Sequence, residues 1–330
     1  MRILVLGGTR FLGRAFVEAA QSRGHRLTLF HRGRSNPGLF PGAEHVLGDR
    51  DGGLEALAGR TWDALVDPSG YLPRLVAASS AALAPCVGRA LFVSSISVLA
   101  EPIAPGADES APVAVLADPA VETIDGSTYG GLKARCEAEV TAAFGSRATI
   151  VRPGLIVGPH DTTDRFPYWP RRMSRGGEVL APGDPAAPCQ LIDVRDLADW
   201  MLDLLERDVA GTFHAVGPER PLTLGEALKR IAAGVGVAPR LTWVEEAFLR
   251  AHDVQPWLEL PLWVHAADAG FEQVDASRAR AAGLRTRPLE ATARDTWAWE
   301  QGLPAGARAE SPTLTAAREA ELLALWRTRA

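Results

Sequence analysis

The first half of the chain alternates short apolar runs with segments whose apolar residues recur at helical spacing. Strands buried on both faces are apolar throughout, whereas a helix that covers a sheet is apolar at every third or fourth position. This alternation predicts βαβ units and a parallel sheet covered on both faces. The predicted strands are Arg2–Leu6, Arg26–Phe30, Glu44–Leu47, Ala64–Asp67, Arg89–Ser94 and Ala148–Val151, and the predicted helices are Phe11–Arg23, Gly53–Leu57, Leu72–Ala84 and Thr128–Phe144.

The second half of the chain has a different pattern. Prolines crowd residues 153–188, and regular patterns return only from Gln190 onward. Thr223 followed by Glu226 three residues later is a capping box, which indicates the start of a helix. The patterned segments are a strand and helix in Gln190–Glu206, a strand in GTFHAVGP, a helix in Thr223–Gly236 and a last helix around Ala316–Trp326.

These two patterns predict how the chain divides into domains. Strand-like segments of the second half would complete the sheet of the first half. We therefore predict an α/β fold, a Rossmann-like doubly wound parallel sheet with a smaller, discontinuous C-terminal substrate domain. Residues 1–155 with about 189–216 form the predicted dinucleotide-binding domain, and residues 156–188 with 217–330 form the predicted substrate-binding region.

The composition is ordinary for a globular protein, with 47% hydrophobic and 23% charged residues among 330. The formal net charge of -5 gives no basic field for nucleic acid. No apolar run approaches the roughly 18 residues that a membrane span needs. Cys86, Cys136 and Cys189 are odd in number and far apart, which suits a reducing cytoplasm. Because the histidines lack zinc-ligand spacing, we expect a cytoplasmic protein without a metal or membrane partner.

The sequence GGTRFLG follows the first predicted strand and opens a helix. A dinucleotide-binding turn has glycine at three places spaced three apart, which here are Gly7, Arg10 and Gly13. Gly7 permits the turn, Gly13 lets the helix approach the sheet, and the helix N-terminus attracts phosphate. The alternative is a plain strand-to-helix turn. The predicted cofactor contacts of this turn are Gly7, Thr9, Arg10, Phe11, Leu12 and Gly13.

The end of the second strand indicates which dinucleotide binds. NAD-binding proteins place Asp or Glu there to hold the ribose 2′-hydroxyl. His31 takes that place here, and Arg32 and Arg34 follow it. Because arginine forms bidentate hydrogen bonds with phosphate, these residues favour NADP(H), with NAD(H) or a solvated basic loop as alternatives. We expect Arg10 to join Arg32 at the 2′-phosphate or the pyrophosphate. After the third strand, Asp49 would accept a hydrogen bond from the adenine amino group or, alternatively, cap a turn.

Tyr129 and Lys133 in STYGGLK are four residues apart, so they share one face of the predicted helix. A lysine ammonium lowers the pKa of a nearby phenol, which makes the phenol a usable acid and base near neutral pH. The fifth strand ends in Ser94, Ser95 and Ser97, and a serine there would hydrogen-bond a substrate oxygen. The alternative for the Tyr-x-x-x-Lys spacing is an ordinary solvated helix face.

The chain resembles the extended short-chain dehydrogenase/reductases, the NAD(P)-dependent epimerase/dehydratase family. The resemblance rests on GGTRFLG, FVSSISV, YGGLK, VRPGLIVGPHD and LIDVRDLA, which follow the family's order over the first two-thirds of the chain. It implies that Tyr129 is the acid/base, that Lys133 holds the nicotinamide ribose and tunes Tyr129, and that Ser95 polarises the substrate oxygen. The further cofactor contacts predicted with it are Asp49, Arg50, Ser69, Gly70, Pro153, Gly154, Leu155 and Ile156.

Several positions depart from the family pattern. Ile96 and Ser97 stand where the dehydratases carry Asp-Glu, which argues against dehydration. The fourth strand ends in DPSGYLP rather than in the usual HLAA. GGTRFLG, with Arg10 in place of the middle glycine, most resembles an atypical branch that includes bacterial epimerase-like reductases and chloroplast stem-loop-binding proteins.

The substrate side is predicted from DRFPYWPRR, where arginines of sugar-nucleotide enzymes bind the diphosphate. The alternative is a solvated amphipathic helix. His160 is either an extra acid/base or a loop contact, and Trp257 is either a pocket wall or part of the core. The predicted substrate contacts are Tyr71, His160, Tyr168, Trp169, Arg172 and Trp257.

Three functions remain open on the sequence. The first is an NADP(H)-dependent oxidoreductase acting on a carbonyl/alcohol pair of a small molecule. The second is an NAD(P)-dependent epimerase of a sugar nucleotide or related metabolite. The third is a non-catalytic RNA-binding or regulatory protein, against which the intact Ser95, Tyr129 and Lys133 set and the net charge of -5 argue. The oligomeric state is open, although a homodimer through the helices at Leu72–Ala84 and Thr128–Phe144 is usual in the family.

Overall fold

The computed structural model describes residues 1–304, 306 and 311–329. Two compact units share these residues, and each consists of three stretches of the chain. Unit 1 comprises Met1–Leu155, Val194–Val216 and Val274–Arg285, and unit 2 comprises Ile156–Asp193, Gly217–Gln273 and Thr286–Ala330. The domain boundaries predicted from the sequence differ from these units at residues 189–193 and 274–285, and the assignment of the units to cofactor and substrate stays a prediction.

The helices and strands alternate through most of the chain. The strands are β1 (Arg2–Leu6), β2 (Arg26–His31), β3 (Glu44–Leu47), β4 (Trp62–Asp67), β5 (Val87–Val93), β6 (Ala148–Pro153), β7 (Leu155–Val157), β8 (Glu178–Pro182), β9 (Leu191–Asp193), β10 (Gly211–Ala215) and β11 (Arg240–Val244). The helices are α1 (Phe11–Ser22), α2 (Pro73–Leu83), α3 (Tyr129–Phe144), α4 (Tyr168–Ser174), α5 (Val194–Glu206), α6 (Leu224–Gly234), α7 (Glu246–Ala251), α8 (Ser277–Ala281), α9 (Leu289–Gln301) and α10 (Ala316–Thr328).

A seven-stranded sheet forms the centre of unit 1, in the order β10-β6-β5-β4-β1-β2-β3. Every pairing in it is parallel. The predicted Rossmann-like parallel α/β fold is therefore confirmed. Because parallel strands end at one edge, the residues that follow β1, β2, β4, β5 and β6 meet along the carboxyl edge of this sheet.

Both faces of the sheet are buried, which explains the apolar runs. In β1, Leu4 and Leu6 belong to the core that includes residues of α2 and α3. Side chains alternate along a strand, so Ile3 and Val5, both 0% exposed, face the opposite side, where α1 packs against α5. The predicted helix Gly53–Leu57 is only one 3-10 turn at Leu54–Leu57.

Unit 2 is built around α6, which packs against α9 and α4. The predicted capping box is present, because Thr223 accepts from the Glu226 N–H and the Glu226 side chain accepts from the Thr223 N–H. β8 and β11 form a parallel ladder, and α10 packs on β8. The strand predicted within Gln190–Glu206 is β9, which pairs with β7 instead of joining the seven-stranded sheet. No helix in the described part of the chain is both long and apolar enough to cross a membrane.

Candidate active site

The glycine turn after β1 has the backbone that a dinucleotide requires. Gly7 and Gly8 have φ values of +115° and +95°, which side chains rarely adopt. A Cβ on Gly13 would lie 3.0 Å from the Gly8 backbone, so the first turn of α1 touches the glycine turn. Gly8 thus supplies the conformational freedom that the sequence pattern lacked at Arg10. The turn places Gly7 and Gly8 just before the N-terminus of α1, where the sequence predicts the pyrophosphate.

The single asparagine of the chain fixes the loop after β2 to this turn. Asn36 Nδ2 donates to the Thr9 carbonyl oxygen at 2.9 Å, and Thr9 is 5% exposed. Arg10 occupies the N-cap position of α1 with an extended backbone, and it is exposed. Sequence reasoning missed Asn36 as a site residue, although the rarity of asparagine in this chain was a usable signal.

His31 belongs to a chain of hydrogen bonds with defined proton positions. The Gly33 N–H donates to His31 Nδ1 at 3.0 Å, so Nε2 of the neutral ring carries the proton. His31 Nε2 then donates to His45 Nδ1 at 2.8 Å, and His45 Nε2 donates to the Phe40 carbonyl at 3.1 Å. Burial, followed by the His45 charge, lowers the pKa of His31, which keeps the ring neutral.

Both ring nitrogens of His31 therefore form hydrogen bonds, one with the Gly33 backbone and one with His45 on β3. Arg32 and Arg34 on the same loop are exposed. The exposed positive charge of this loop comes from the two arginines, while His31 and His45 hold the ends of the loop together, and binding of a phosphate here stays a prediction.

The ends of β3 and β4 are joined by a buried ion pair. Arg50 Nη2 donates to Asp67 Oδ1 at 2.7 Å, and Arg50 Nη1 is buried without a hydrogen-bond partner in the described residues. The Ser69 N–H donates to Asp67 Oδ1 at 3.0 Å, and Ser69 Oγ donates to the Leu6 carbonyl at 2.8 Å. Asp49 is exposed and accepts from the Asp51 N–H at 3.1 Å, which is the turn contact given as its alternative.

Lys133 is a residue of α3 and is only 2% exposed. Its Nζ donates to the carbonyl oxygens of Gly70 and Val93, both at 2.6 Å, and so joins the ends of β4 and β5. Burial lowers the pKa of Lys133 to about 8, although nearby acidic groups oppose this effect. Two of its three N–H bonds are used by these carbonyls.

The turn after β5 packs against the start of α3. Ser95 Oγ accepts from the Ser97 N–H at 3.1 Å and donates to Ser97 Oγ at 3.0 Å. A Cβ on Gly130 would collide with the Ser97 carbonyl oxygen, so only glycine permits this approach. The structure thereby brings the Ser95 turn against the helix turn that begins at Tyr129, and Tyr129 is partly exposed. Ser94 Oγ is buried without a partner among the residues described.

The remaining predicted cofactor residues lie at the end of β6. Pro153 is the last residue of β6 and is buried, and the Gly154 N–H donates to the Ala215 carbonyl at 3.4 Å. Leu155 is buried at the end of this stretch of unit 1, whereas Ile156 begins a stretch of unit 2. The roles of these residues toward a cofactor stay predictions.

Trp169 and Arg172 are core residues of unit 2. Trp169 is 0% exposed and its Nε1 donates to the Pro261 carbonyl at 2.7 Å. Arg172 Nε donates to Glu319 Oε2 at 2.5 Å, and its other nitrogens donate to the carbonyls of Gly176 and Glu178. Their polar groups are engaged within the protein, so the solvated-helix alternative is wrong for them, and their roles toward a substrate stay predictions.

The neighbouring Arg171 is also in ion pairs, with Asp164 at 2.5 Å and with Glu300. Tyr168 is 4% exposed, its hydroxyl has no hydrogen-bond partner within the described part of the chain, and burial raises its pKa.

His160 and Trp257 both have positive φ values and are partly exposed. The His160 ring contacts Trp299, with 5.3 Å between ring centroids, and the Trp257 ring contacts Phe271 at 5.7 Å. Their roles toward a substrate stay predictions. Across the described ranges, no group of three or more His, Cys, Asp or Glu is arranged to hold a metal ion.

A parallel sheet with a glycine turn after β1 and a Tyr-x-x-x-Lys helix after β5 is the dinucleotide-binding fold of the short-chain dehydrogenase/reductases. Residues 74–216 match the model of the NAD dependent epimerase/dehydratase family. The match covers less than half of the chain, and over this region the chain is similar to that family of NAD(P)-dependent enzymes.

Three known proteins illustrate the similarity. The chloroplast stem-loop binding protein of 41 kDa b from Arabidopsis thaliana is 28% identical over 227 residues, which are 63% of this chain and 56% of that protein. The 2-alkyl-3-oxoalkanoate reductase of Stenotrophomonas maltophilia is 28% identical over 269 residues, 73% of this chain and 77% of that protein. UDP-glucose 4-epimerase from Bifidobacterium longum, solved with NAD+ and UDP, has a TM-score of 0.64 at 18% identity, covering 93% of this chain and 100% of that chain. The last likeness shows the fold.

Proposed function

We propose that this protein is an NADP(H)-dependent oxidoreductase that interconverts a carbonyl and an alcohol of a small molecule. The observation that carries the proposal is the buried Lys133 ammonium at the ends of β4 and β5, on the helix face that also bears Tyr129. The turn of Ser95 packs against the same end of that helix. When bound, the nicotinamide would exchange a hydride with the substrate carbon.

Each of the three residues has a distinct task in this proposal. In the direction of reduction, the Tyr129 hydroxyl gives its proton to the substrate oxygen, and the resulting phenolate regains a proton from solvent. The Lys133 charge stabilises that phenolate, and its third N–H bond is available for a ribose hydroxyl. The Ser95 hydroxyl, which donates to Ser97 Oγ in the structure, would turn to donate its hydrogen bond to the same substrate oxygen and hold it in position.

The preference for NADP(H) follows from the loop after β2. Residues 31–43 contain no Asp or Glu, and Arg32 and Arg34 are exposed. A charge-assisted hydrogen bond contributes about 1.5–3 kcal/mol, so we expect Arg32→Ala to weaken NADPH binding about tenfold or more. NADH binding, measured by the same titration, should change little. Equal losses for both cofactors would contradict the assignment of Arg32 to the 2′-phosphate.

Two observations favour a reductase over a sugar-nucleotide epimerase. Arg171 and Arg172, the arginines assigned to a diphosphate on the sequence, are held in buried ion pairs. The relative named 2-alkyl-3-oxoalkanoate reductase is also similar over most of its length. The test is to supply NADPH with a panel of oxo compounds that includes 3-oxoalkanoates, and to follow the nicotinamide absorbance. Net consumption supports the proposal, whereas interconversion of epimers without net consumption identifies an epimerase.

The relative named as a stem-loop binding protein keeps RNA binding as a second candidate. The formal net charge of -5 argues against it, because RNA affinity depends on basic surface. Salt-dependent binding of a stem-loop RNA that is unchanged in Tyr129→Phe, together with no turnover of any carbonyl compound, would favour this second candidate.

A further inference from the structure

Two carbonyls and two aromatic rings enclose the Lys133 ammonium. Besides the carbonyl oxygens of Gly70 and Val93, the ring centroids of Phe92 and Tyr71 lie 4.2 Å and 5.3 Å from Nζ. A cation within about 6 Å of a ring face is attracted by the negative face of the ring. These four groups, which we call the ammonium cage, all come from the ends of β4 and β5.

The position of Tyr71 in the cage is fixed by the backbone before it. A Cβ on Gly70 would lie 2.6 Å from the Phe92 ring and 2.8 Å from Val76, so the chain is pressed against the core there. Tyr71 follows Gly70 directly in the chain and is 45% exposed. Burial of apolar surface therefore does not explain why this position has an aromatic side chain. The Tyr71 ring instead reaches the cage, and its centroid lies 6.4 Å from that of Tyr129.

The acidic groups near Lys133 are committed to arginines. Asp67 pairs with Arg50 at 2.7 Å, and Glu137 pairs with Arg152 through two hydrogen bonds of 2.7 and 2.9 Å. The charged and titratable groups that face Lys133 are Asp67 and Arg50 from the ends of β4 and β3, Cys136 and Glu137 from α3, and the phenols Tyr71 and Tyr129.

The two carbonyls and the two rings therefore add neutral contacts to the stabilisation that nearby acidic groups give the buried ammonium. Removing one ring face from the cage should make the charged form of Lys133 less favourable, while the acidic groups keep their arginine partners.

We propose that Tyr71 is a positioning residue, whose ring face keeps the Lys133 ammonium charged on the Tyr129 side of α3 and thereby sets the upper pH limit of proton transfer. The effect on proton transfer rests on the proposed function, whereas the effect of the Tyr71 ring on the charge of Lys133 does not. The ring, rather than the hydroxyl, is the active part of Tyr71 in this role.

The chain offers a direct measurement, because Lys133 and Lys229 are its only two lysines. Isotope-labelled lysine would give two side-chain NMR signals in the full-length protein, and the exposed Lys229 is an internal control. We expect Lys133 to titrate near pH 8 in the wild type and in Tyr71→Phe. In Tyr71→Leu it should titrate at a pH lower by about 0.5, an approximately threefold change in proton affinity.

A third variant keeps the test valid if Tyr71→Leu does not fold. Tyr71→Trp presents a stronger ring face and should raise the titration of Lys133. The proposal is overturned if Lys133 titrates alike in the wild type, Tyr71→Leu and Tyr71→Trp, or if Tyr71→Phe shifts it as far as Tyr71→Leu.

Once a substrate is known, the alkaline limb of kcat/KM should move in step with the Lys133 titration, because uncharged Lys133 no longer stabilises the phenolate. A pH profile identical in Tyr71→Leu and the wild type would overturn the catalytic part of the proposal. If the titration shifts as expected but no carbonyl compound is turned over, the proposed function fails and the ammonium cage stands.

Discussion

Two helices of this chain begin at a tyrosine and carry cations shortly afterwards, yet their surroundings differ. At the start of α3, Tyr129 is partly exposed, and Lys133 is held by backbone carbonyls and aromatic rings. At the start of α4, Tyr168 is buried, and Arg172 is bound to the Glu319 carboxylate. The two sequence motifs, YGGLK and YWPRR, had both been assigned to the site.

The difference lies in what neutralises the buried cation. A buried charge that is matched by a carboxylate and further hydrogen bonds is a fixed structural element. A buried ammonium among neutral groups keeps a lowered pKa and an N–H bond for a ligand, which is the state expected of a functional lysine. The kind of group that binds the buried cation therefore distinguishes Lys133 in the candidate active site from Arg172 in the core of unit 2.

The largest expected effect contrasts the two tyrosines. Loss of a general acid/base costs about 10²–10⁴-fold, so Tyr129→Phe should lower kcat/KM by about this factor while NADPH still binds. Tyr168→Phe, the matched control, removes a buried hydroxyl without a partner in the described residues and should leave turnover unchanged. Steady-state rates and cofactor titration check both variants. Comparable activity losses in both would remove the distinction between the helices.

The next largest effect is a difference in the free energy of unfolding between variants of the two buried cations, Arg172 and Lys133. Arg172→Met leaves the Glu319 carboxylate buried without its partner and should lower the free energy of unfolding by about 3–5 kcal/mol. Lys133→Met removes two charge-assisted hydrogen bonds of about 1.5–3 kcal/mol each, but it also removes the cost of burying the charge, so we expect a net loss of about 2 kcal/mol or less. Urea unfolding measures both. Replacing Glu319 by leucine in the Arg172→Met background should restore part of the loss.

The smallest expected effect is the part of the pH dependence of stability that comes from Lys133 on α3. The folded protein holds the Lys133 proton with a pKa of about 8, below the ordinary value of 10.5. Between these pH values the unfolded chain binds more protons, so the free energy of unfolding should rise with pH, by at most about 3 kcal/mol. Lys133→Met should lack this rise. Urea midpoints from pH 7.5 to 10.5 that run parallel in the two proteins would contradict the lowered pKa.

Local patterns made most of the fold predictable. β1, β3 and the start of α1 coincide with their predicted bounds, because apolar runs and the glycine turn are short-range signals. The spacing of Tyr129 and Lys133 is likewise local. The sequence did not predict that Lys133 would bind the Gly70 carbonyl, which is 63 residues away, or that Arg172 would bind Glu319, which is 147 residues away.

Such partners depend on how distant segments fold together, and side-chain type alone does not reveal them. The solvated-helix alternative for α4 was wrong for this reason, because Arg171 meets Glu300 and Arg172 meets Glu319, which are 129 and 147 residues away. A compositional signal was nevertheless available for Lys133. Lysine and arginine total 35 residues, of which only Lys133 and Lys229 are lysines, and lysine is the cation whose pKa shifts readily on burial.

The scarcity of lysine also has a practical consequence for handling the protein. Reagents that couple to side-chain amines need an accessible, uncharged nitrogen, and Lys229 is exposed whereas Lys133 is enclosed in the ammonium cage. Among the lysines, attachment to an amine-reactive support or dye should therefore occur at Lys229 on α6 in unit 2. The carboxyl edge of the seven-stranded sheet would then carry no label.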